Sequence, residues 1–442
     1  MSGENQDPKL EELRQAAIDA ARAYGEQAFS PAAFTPGETP VSVGGRIIGG
    51  AESANMVEAA LDGWLTEGRW AERFREGLVA TTGRANNAIV GSGSQANLLA
   101  ITALRSHLLE RPLEVGDEVI TPAVGFPTTV NPIYQNGLVP VYVDVEPETF
   151  NPTLDMFASA IGPKTRAIVA AHGLGNPFDA TGLAELCEEN GLLLIEDCCD
   201  ALGSKIDDRL VGTFGNASTY SFYPAHHMTT GEGGAVATDQ TDWTRAVASL
   251  REWGRDCWCA PGFNNACGHR FEGTYGHMPE GYDHKYVFSH LGFNFKVTDM
   301  QAALGLAQLD RVEGFHAARR RNFDYLDGLM RRLEDRLILP SALPTAEPSW
   351  FGYPFTLRSG DSQQRRRMQV FLDDRKVDSR LLLAGNMTRQ PAYLPLNHRV
   401  SGTLEGADMI TDGSAWVGCH PAMTEPMMDW VVDSIEAFLD AD

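Results

Sequence analysis

The strongest constraint on the fold of this chain is a regular alternation of short apolar runs with helical segments. Four runs have the length of buried strands: 118–121, 139–143, 167–171 and 192–196. Segments with helical spacing separate most of them, as at 153–161 and 180–190. Strands joined by helical crossovers pair in parallel, so the pattern predicts an α/β domain with a mostly parallel sheet.

The length and the later pattern predict a second, smaller domain. A chain of 442 residues is too long for one small core. Further elements are predicted as helical stretches at 8–25, 55–80, 298–335, 363–375 and 426–440 and a strand at 353–358. The predicted division is an N-terminal helix and arm at 1–50, a large domain at 51–315 with a cysteine-rich insertion at about 255–290, and a small α/β domain at 316–442.

Composition excludes several classes of function. The net charge is -23, without the basic patch expected of a nucleic-acid-binding protein. The sequence has no run of about 18 apolar residues that could span a membrane. The N-terminus is polar and lacks the basic and apolar regions of a signal peptide, which favours a cytoplasmic location.

Two turns at predicted strand ends carry polar groups suited to a ligand. The segment Gly91-Ser-Gly-Ser-Gln-Ala-Asn97 lies between a strand and a helix, where free N–H groups can hold a phosphate. Asp197 follows the apolar strand at 192–196, a usual position for site residues in α/β sheets. Each motif alone is also compatible with an ordinary turn or a helix cap.

A third motif carries a resemblance to a known family. The segment from Ser221 to Gly234 reads Ser-Phe-Tyr-Pro-Ala-His-His-Met-Thr-Thr-Gly-Glu-Gly-Gly. It resembles the Ser-Phe-x-x-x-Lys and Gly-Glu-Gly-Gly pattern of the DegT/DnrJ/EryC1/StrS sugar aminotransferase/dehydrase family. The resemblance covers about residues 45–440. It implies the pyridoxal-phosphate-dependent fold of type I, with a large sheet domain, a smaller C-terminal domain and a homodimer with shared active sites.

The resemblance assigns residues to the cofactor. Ser94 and Gln95 would hold its phosphate through backbone amides and Ser221 through its hydroxyl. Asn294 would reach a phosphate across the dimer interface.

The cofactor ring is assigned two residues by the same resemblance. Phe126 would stack on the pyridine ring. Asp197 would pair with the pyridinium nitrogen, which keeps the ring able to accept electrons.

The chain departs from the family pattern at the Schiff-base lysine, where it has His226. An imidazole cannot form an aldimine, so the cofactor is expected to rest as pyridoxamine phosphate (PMP), held without a covalent bond. Its amine can condense with a ketone of the substrate. His226 is predicted to move the C4′ proton of that adduct and to promote loss of a neighbouring hydroxyl. An inactive enzyme is the alternative.

Four cysteines have a distinctive spacing. Cys199 is followed by 57 residues, Cys257, one residue, Cys259, seven residues and Cys267. The spacing resembles the ligand set of the CDP-4-keto-6-deoxyglucose 3-dehydrase subgroup, which implies a 2Fe-2S cluster. Structural zinc, which usually uses Cys-x2–4-Cys pairs, and oxidisable surface thiols are the alternatives. The other cysteines are predicted to be packing residues: Cys187, Cys198 and Cys419.

Several residues in other segments that match this subgroup are candidates for substrate contacts. Arg380 and Arg389 could bind diphosphate oxygens, and Asn386 lies between them. His172 and Lys285 could touch the cofactor or the sugar. Surface ion pairs are the alternative for the arginines.

Together these features predict a PMP- and 2Fe-2S-dependent 3-dehydrase. Its substrate would be a nucleoside diphosphate 4-keto-6-deoxyhexose or a 2,6-dideoxy relative, and a separate NAD(P)H-dependent reductase would supply electrons. Three alternatives stay open: a dehydratase that regenerates PMP from glutamate without a cluster, a non-catalytic PMP-binding or zinc-stabilised protein, and an ordinary aminotransferase.

Overall fold

The predicted alternation builds one large sheet in the computed structural model, which describes residues 7–30, 33–257, 259 and 265–441. The strands of this sheet are β1 (Asn86–Val90), β2 (Glu118–Pro122), β3 (Val139–Val143), β4 (Thr165–Ala171), β5 (Leu193–Asp197), β8 (Ala217–Ser221), β9 (Gly234–Thr238) and β13 (Arg399–Val400). Short strands outside it are β6 (Lys205–Ile206), β7 (Arg209–Leu210), β10 (Leu337–Ile338), β11 (Ala346–Glu347), β12 (Gly352–Leu357) and β14 (Ser414–Gly418).

The helices connect and cover these strands. The first group is α1 (Pro8–Ala28), α2 (Gly50–Leu61), α3 (Arg69–Thr82), α4 (Gly93–Ala103), α5 (Pro127–Gln135), α6 (Leu154–Ala160) and α7 (Ala180–Asn190). The second group is α8 (Thr241–Arg251), α9 (Asp299–Leu309), α10 (Val312–Met330), α11 (Ser362–Asp374), α12 (Glu405–Gly413) and α13 (Glu425–Ala441).

The order of strands in the large sheet is β1-β9-β8-β5-β4-β2-β3-β13 over the described residues. All neighbours from β8 to β13 pair in parallel, whereas β9 is antiparallel to both β1 and β8. The prediction of a mostly parallel sheet is therefore confirmed. Because β1 and β8 are both antiparallel to β9, they run in the same direction as β5.

Side chains alternate between the two faces of this sheet. On β4, Ile168 packs into a core that contains Phe74 of α3, whereas Val169 packs into the other core beside Leu99 of α4. Both strand residues are fully buried. A sheet buried on both faces explains why its strands are continuous apolar runs in the sequence.

Two predicted helical stretches are each interrupted. The stretch at 55–80 contains the end of α2 and most of α3, and residues 62–68 between them are not helical. Asp62 accepts hydrogen bonds from Arg14 and Arg69 at this break, which ties it to α1. The stretch at 298–335 divides into α9 and α10 at residues 310–311. Apolar periodicity continued across both breaks, so it could not reveal them.

A separate apolar core lies in the C-terminal part of the chain. Strands β10, β12 and β14 form an antiparallel sheet, and α10, α11 and α13 pack around it. Leu326, Phe355 and Val432 are fully buried in this core. The predicted boundary at 315/316 stays a proposal, because α10 crosses it and contributes its C-terminal half to this second core. In the described part of the chain, no helix combines the length and apolar character needed to cross a membrane.

Buried histidines lie between the two cores. The Nδ1 atom of His316 lies 3.0 Å from the Ser349 hydroxyl, and the Nε2 atom of His227 lies 2.6 Å from the carbonyl oxygen of the same residue. Burial lowers the pKa of His316 to about 3, with further lowering by Arg320 and Arg319. Burial also lowers the pKa of His420 to about 4. These rings are therefore neutral in the folded protein near neutral pH.

This burial predicts a loss of stability in mild acid. The pKa of His316 is depressed on folding, so below its ordinary value of 6.5 the unfolded chain binds the proton first. The contribution of His316 to the free energy of unfolding therefore decreases as the pH falls from about 6.5 towards about 3, at up to about 1.4 kcal/mol per pH unit. When the pH is lowered from about 7.5 to 5, the free energy of unfolding measured in urea should decrease less for His316→Gln than for wild type. His269→Gln, whose side chain is 74% exposed, should behave like wild type. Identical pH profiles for wild type and His316→Gln would contradict the argument.

Candidate active site

Three polar groups meet at one edge of the large sheet, where β1, β5 and β8 end. Ser92 follows β1, Asp197 ends β5 and Ser221 ends β8. The common direction of these strands places all three at the carboxyl edge, which is where open α/β sheets form their sites. The fold therefore brings Ser92 together with Asp197 and Ser221, which lie more than 100 positions later in the sequence.

The turn between β1 and α4 has the form of an anion cradle. Ser92 is the N-cap of α4, and its hydroxyl accepts a hydrogen bond from the Gln95 N–H at 3.1 Å. Gly93 lies so close to Ser221 that a Cβ atom there would be 2.8 Å from the Ser221 hydroxyl oxygen. The first amides of a helix have no partner within it, so Gly93 and Ser94 can present theirs to a ligand. The predicted role of the Gln95 amide is less well supported, because that N–H already serves the cap.

Asp197 is held by a set of donors that leaves it 4% exposed. Its Oδ2 atom accepts hydrogen bonds from the Asn97 amide at 2.8 Å and the Thr129 hydroxyl at 2.7 Å. Its Oδ1 atom accepts one from the Cys199 N–H at 3.1 Å. Thr219 then donates to the Asn97 side-chain oxygen at 2.5 Å, which fixes the orientation of that amide. The carboxylate is thus fixed in position where it borders the site.

Glu196, the preceding residue, points to the opposite face of the sheet and is fully buried. It accepts three backbone hydrogen bonds of 2.7 Å, from Gly212, Phe214 and Gly215. Burial alone would raise its pKa, but His172 and the backbone donors bring the pKa below its ordinary value. This carboxylate therefore anchors the loop that leads into β8.

His172 belongs to this anchor. Its Nε2 atom lies 3.4 Å from Glu196, and its ring stacks on Phe178 at 4.1 Å. The side chain is fully buried, so the structure gives no support to the predicted contact of His172 with cofactor or substrate. Cys198 comes near the same pair, with all three ligand atoms within 4.8 Å of one another, but the Glu196 oxygens are already saturated by N–H donors.

His226 lies on the loop after β8, and its side chain is 15% exposed. Its Nδ1 atom is 3.3 Å from an oxygen of Asp200, which is close enough for an ion pair when the ring is protonated. The ring lies 5.1 Å from the ring of Phe351, a residue that precedes β12. The loop N–H of His226 donates to the Tyr223 carbonyl at 2.9 Å, which closes a tight turn.

A buried arginine holds the loop that carries His226. Arg319 of α10 is 1% exposed and donates to the carbonyl oxygens of Ala225 and His226 at 3.5 and 3.3 Å. Its other nitrogen donates to the carbonyl oxygens of Trp350 and Phe351. One guanidinium thus connects the histidine loop to the segment before β12.

Phe126 and Asn294 both have exposed side chains. Phe126 is 53% exposed at the N-terminal end of α5, so its ring offers a free face. Asn294 forms a backbone bridge with Glu252 and is exposed to solvent. Their predicted roles, stacking on the ring and reaching across a dimer, stay predictions.

The predicted substrate residues of the C-terminal part already have protein partners. Arg389 pairs with Asp408 and Asp412 at 3.1 and 3.0 Å. Arg380 pairs with Asp378 and is 55% exposed. Asn386 is buried and donates to Asp408, so it is placed as a cap within the fold and not as a surface contact. A diphosphate would have to compete with these carboxylates for either arginine. Lys285 lies in a 3-10 turn of the insertion, His284–Tyr286.

The structure describes some of the neighbours of the four cysteines predicted as ligands. Cys199 lies beside the anion cradle, where a Cβ at Gly93 would be 3.2 Å from its sulfur. Cys257 and Cys259 line a cavity of about 1250 Å³ between α1, α3, β1 and α8. Cys259 contacts the side chains of both Cys257 and Cys267. The three cysteines predicted to be packing residues are buried: Cys187, Cys198 and Cys419.

The environment of these thiols differs. Burial raises the pKa of Cys199 well above its ordinary value, and the charge of Asp197 raises it further. Burial alone would raise the pKa of Cys259, but a backbone hydrogen bond from Ala266 and contacts with Cys257 bring it below the ordinary value. The thiol in the insertion is thus the more readily ionised of the two.

Comparison with known proteins identifies the chain. The family model described as the DegT/DnrJ/EryC1/StrS aminotransferase family matches residues 47–436. The chain belongs to this family. It is 48% identical over 427 residues to the lipopolysaccharide biosynthesis protein RfbH of Salmonella typhimurium, covering 96% of this chain and 98% of that protein. It is 47% identical over 423 residues to the dTDP-4-dehydro-2,6-dideoxy-D-glucose 3-dehydratase of Saccharopolyspora spinosa, covering 96% and 91%.

A solved structure has the same fold. The GDP-4-keto-6-deoxymannose-3-dehydratase ColD, as a mutant with bound GDP-perosamine, superposes with a TM-score of 0.79 at 25% identity, covering 89% of this chain and all of that chain. The predicted family and the predicted fold class are therefore confirmed.

Sequence reasoning missed residues that complete this family site. Asn97 and Thr129 orient Asp197, and Asp200 faces His226. Asn97 lies in the quoted Gly-rich motif, and Asp200 lies three residues after Asp197 in the sequence. Their roles depend on packing across the sheet edge, although their proximity to two recognised motifs was a usable signal.

The anchor at Glu196 predicts a large effect from a minimal substitution. Glu196→Gln places an amide NH2 against backbone N–H donors whichever way the amide is turned. Because a buried donor loses its charged acceptor, the free energy of unfolding should fall by about 2 to 4 kcal/mol. Urea denaturation measures this. Glu272→Gln, an exposed carboxylate beside His269, is the matched control and should leave the unfolding midpoint unchanged. A wild-type midpoint for Glu196→Gln would disprove the anchoring role.

Proposed function

We propose that this protein is a PMP-dependent 3-dehydrase of nucleoside diphosphate 4-keto-6-deoxyhexoses, including 2,6-dideoxy relatives. The observation that carries the proposal is a histidine, His226, at the position of the Schiff-base lysine, with Asp200 3.3 Å away. A relative with 47% identity is named as a 3-dehydratase of a dTDP-linked 4-keto sugar. The rest of the motif around His226 is present in the sequence, which argues against an inactive protein.

The residues of the site fit a pyridoxamine phosphate. Gly93 leaves a space beside the Ser221 hydroxyl that a Cβ would fill, as a phosphate cradle requires. Asp197 offers a fixed carboxylate to a pyridinium nitrogen, and the exposed ring of Phe126 offers a stacking face. Asn294 is proposed to reach the phosphate of a second subunit in a homodimer. When bound, PMP supplies the amine that captures the C4 ketone and a ring that accepts electrons.

The protein's own contribution is proton transfer and orientation. Asp200 faces Nδ1 of His226, which leaves Nε2 as the atom that takes and returns a proton. A carboxylate at this position can orient the ring, as in other acid–base pairs. Arg319 fixes the loop through the backbone carbonyl of His226, so the ring has few alternative positions. Removal of a proton by His226 then promotes loss of the C3 hydroxyl of the sugar.

Reduction of the dehydrated product requires electrons. We propose that cysteines of the insertion hold a 2Fe-2S cluster that receives single electrons from an NAD(P)H-dependent reductase. The convergence of Cys257, Cys259 and Cys267 supports the cluster and disfavours the glutamate-dependent dehydratase, which has no use for these thiols. The replacement of the lysine disfavours an ordinary aminotransferase.

The proposal predicts that His226→Asn abolishes catalysis and retains the cofactor. Loss of a general base should lower turnover about 100-fold or more, whereas PMP affinity should stay unchanged because other residues hold the phosphate and ring. Turnover is measured with CDP- and dTDP-linked 4-keto-6-deoxy sugars and a reductase, and PMP binding by fluorescence titration. His269→Asn, an exposed histidine, is the control. Wild-type turnover in His226→Asn would refute the assigned role.

The anion cradle between β1 and α4 gives a second prediction. In Gly93→Ala the added methyl group would lie 2.5 Å from Cβ of Ser221, so the turn must open and the phosphate contacts must change. We expect PMP affinity to fall at least about tenfold, equivalent to about 1.4 kcal/mol. Gly328→Ala in α10 meets no atom within 4 Å and serves as the control for substitution itself. Equal PMP affinity in both variants and wild type would show that this turn does not bind the phosphate.

A further inference from the structure

The N-terminal arm that follows α1 packs closely against the loop that carries His226. A Cβ atom at Gly44 would lie 3.0 Å from Cβ of Ala225, the residue before the histidine. A Cβ atom at Gly45 would overlap the ring of His420, which is buried. Only glycine, which has no Cβ, permits the backbone to approach both partners so closely. The two glycines therefore bring the arm against the first half of the loop.

A buried glutamine joins the arm to the second half of the same loop. The side-chain nitrogen of Gln308 donates to the carbonyl oxygen of Ile47 at 2.9 Å, and its side-chain oxygen accepts from the N–H of Thr229 at 3.3 Å. Gln308 is 1% exposed, so these hydrogen bonds are shielded from water. Arg46, the residue before Ile47, therefore has its backbone fixed beside His226.

The side chain of Arg46 is exposed, and it has no ion pair or hydrogen bond with any residue that the structure describes. Arg46 and His226 line the same narrow crevice, and the second cation around it is Arg319. Arg319 is buried, and its guanidinium is bonded to backbone carbonyl oxygens. Among the described residues around this crevice, Arg46 is therefore the cation that is free to bind a ligand from solution.

The proposed substrate is anionic, whereas the chain has a net charge of -23. A nucleoside diphosphate carries its negative charge on two phosphoryl groups beside the sugar, and an acidic protein repels it unless cations lie near the site. Arg380 and Arg389 are already paired with carboxylates. Arg46 has no carboxylate to give up, and the planar fork of a guanidinium fits phosphate oxygens.

We infer that Arg46 binds the diphosphate of the nucleotide sugar and so holds the sugar ring against His226. The diphosphate is bonded to C1 of the hexose, and the reacting carbons C3 and C4 belong to the same ring. A guanidinium on a backbone fixed beside the histidine can therefore bind the phosphoryl oxygens while the ring faces the imidazole. The inference rests on the substrate class of the proposed function, but not on the iron–sulfur cluster.

The cofactor phosphate is assigned to a different place. Gly93 and Ser221 form its proposed cradle at the carboxyl ends of β1 and β8. Neither residue is among those described around the crevice of Arg46. The two anions are therefore expected to have separate partners, so loss of Arg46 should affect the nucleotide and leave PMP binding unchanged.

The first test measures nucleotide binding and needs no turnover. CDP and dTDP are titrated calorimetrically into full-length, PMP-loaded protein, and cytidine and thymidine, which lack the diphosphate, are titrated in parallel. We expect Arg46→Ala to weaken binding of the preferred diphosphate at least about tenfold, because a charge-assisted pair of hydrogen bonds is lost. Nucleoside and PMP affinities should stay unchanged. Arg46→Lys keeps the charge without the fork, so its affinity should lie between those of wild type and Arg46→Ala.

Turnover of the nucleotide 4-keto sugar gives a second readout. Arg46→Ala should raise KM about tenfold and leave kcat within about twofold of wild type, because the arginine binds a part of the substrate that does not react. Arg321→Ala is the matched control, since Arg321 is an exposed arginine of α10 without an ion pair among the described residues. It should behave like wild type in both measurements.

Three results would overturn the inference, and they differ in what else they reject. Equal diphosphate affinity in wild type and Arg46→Ala would reject the role of the arginine alone. Reduced PMP affinity with unchanged nucleotide affinity in Arg46→Ala would assign the arginine to the cofactor phosphate instead. A wild-type protein that binds neither CDP nor dTDP and converts neither linked 4-keto sugar would reject the inference together with the substrate class of the proposed function.

Discussion

The organisation of this protein depends on two consecutive carboxylates, Glu196 and Asp197, at the end of β5. Strand geometry directs them to opposite faces, and burial is tolerated because both are supplied with hydrogen-bond donors. Glu196 holds the loop that leads to β8 and thereby positions Ser221. Asn97 and Thr129 hold the Asp197 side chain at the candidate site. One strand end therefore sets both the scaffold and the electrostatics of the site.

The histidine loop is connected to the rest of the molecule by a buried cation. Arg319 donates to carbonyl oxygens on the loop of His226 and on the segment of Phe351. A guanidinium suits this position because its planar fork can serve several acceptors at once. Arg319 thus connects the segment before β12 to the loop that carries the ring proposed to transfer a proton. Asp200 approaches the same ring from the β5 side.

The two halves of the proposed chemistry are built on different structural supports. Proton transfer is assigned to groups at strand ends, which are rigid and buried. The proposed electron-transfer ligands lie on the insertion, where contacts between Arg270 and Asp283 provide local order.

The sequence by itself determined the family, the sheet and the replacement of lysine by His226, because strand patterns and motifs are local and are read directly from neighbouring residues. It could not reveal the breaks between α2 and α3 or between α9 and α10, because apolar periodicity continues across them. It also could not assign Asn97, Asp200 or Arg319, since their partners are distant in the chain. Only the tertiary structure buried His172 against Glu196, and only it placed Cys199 beside Gly93. Spacing counts residues along the chain, whereas a ligand set is decided by which side chains the packed strands and loops direct to one point.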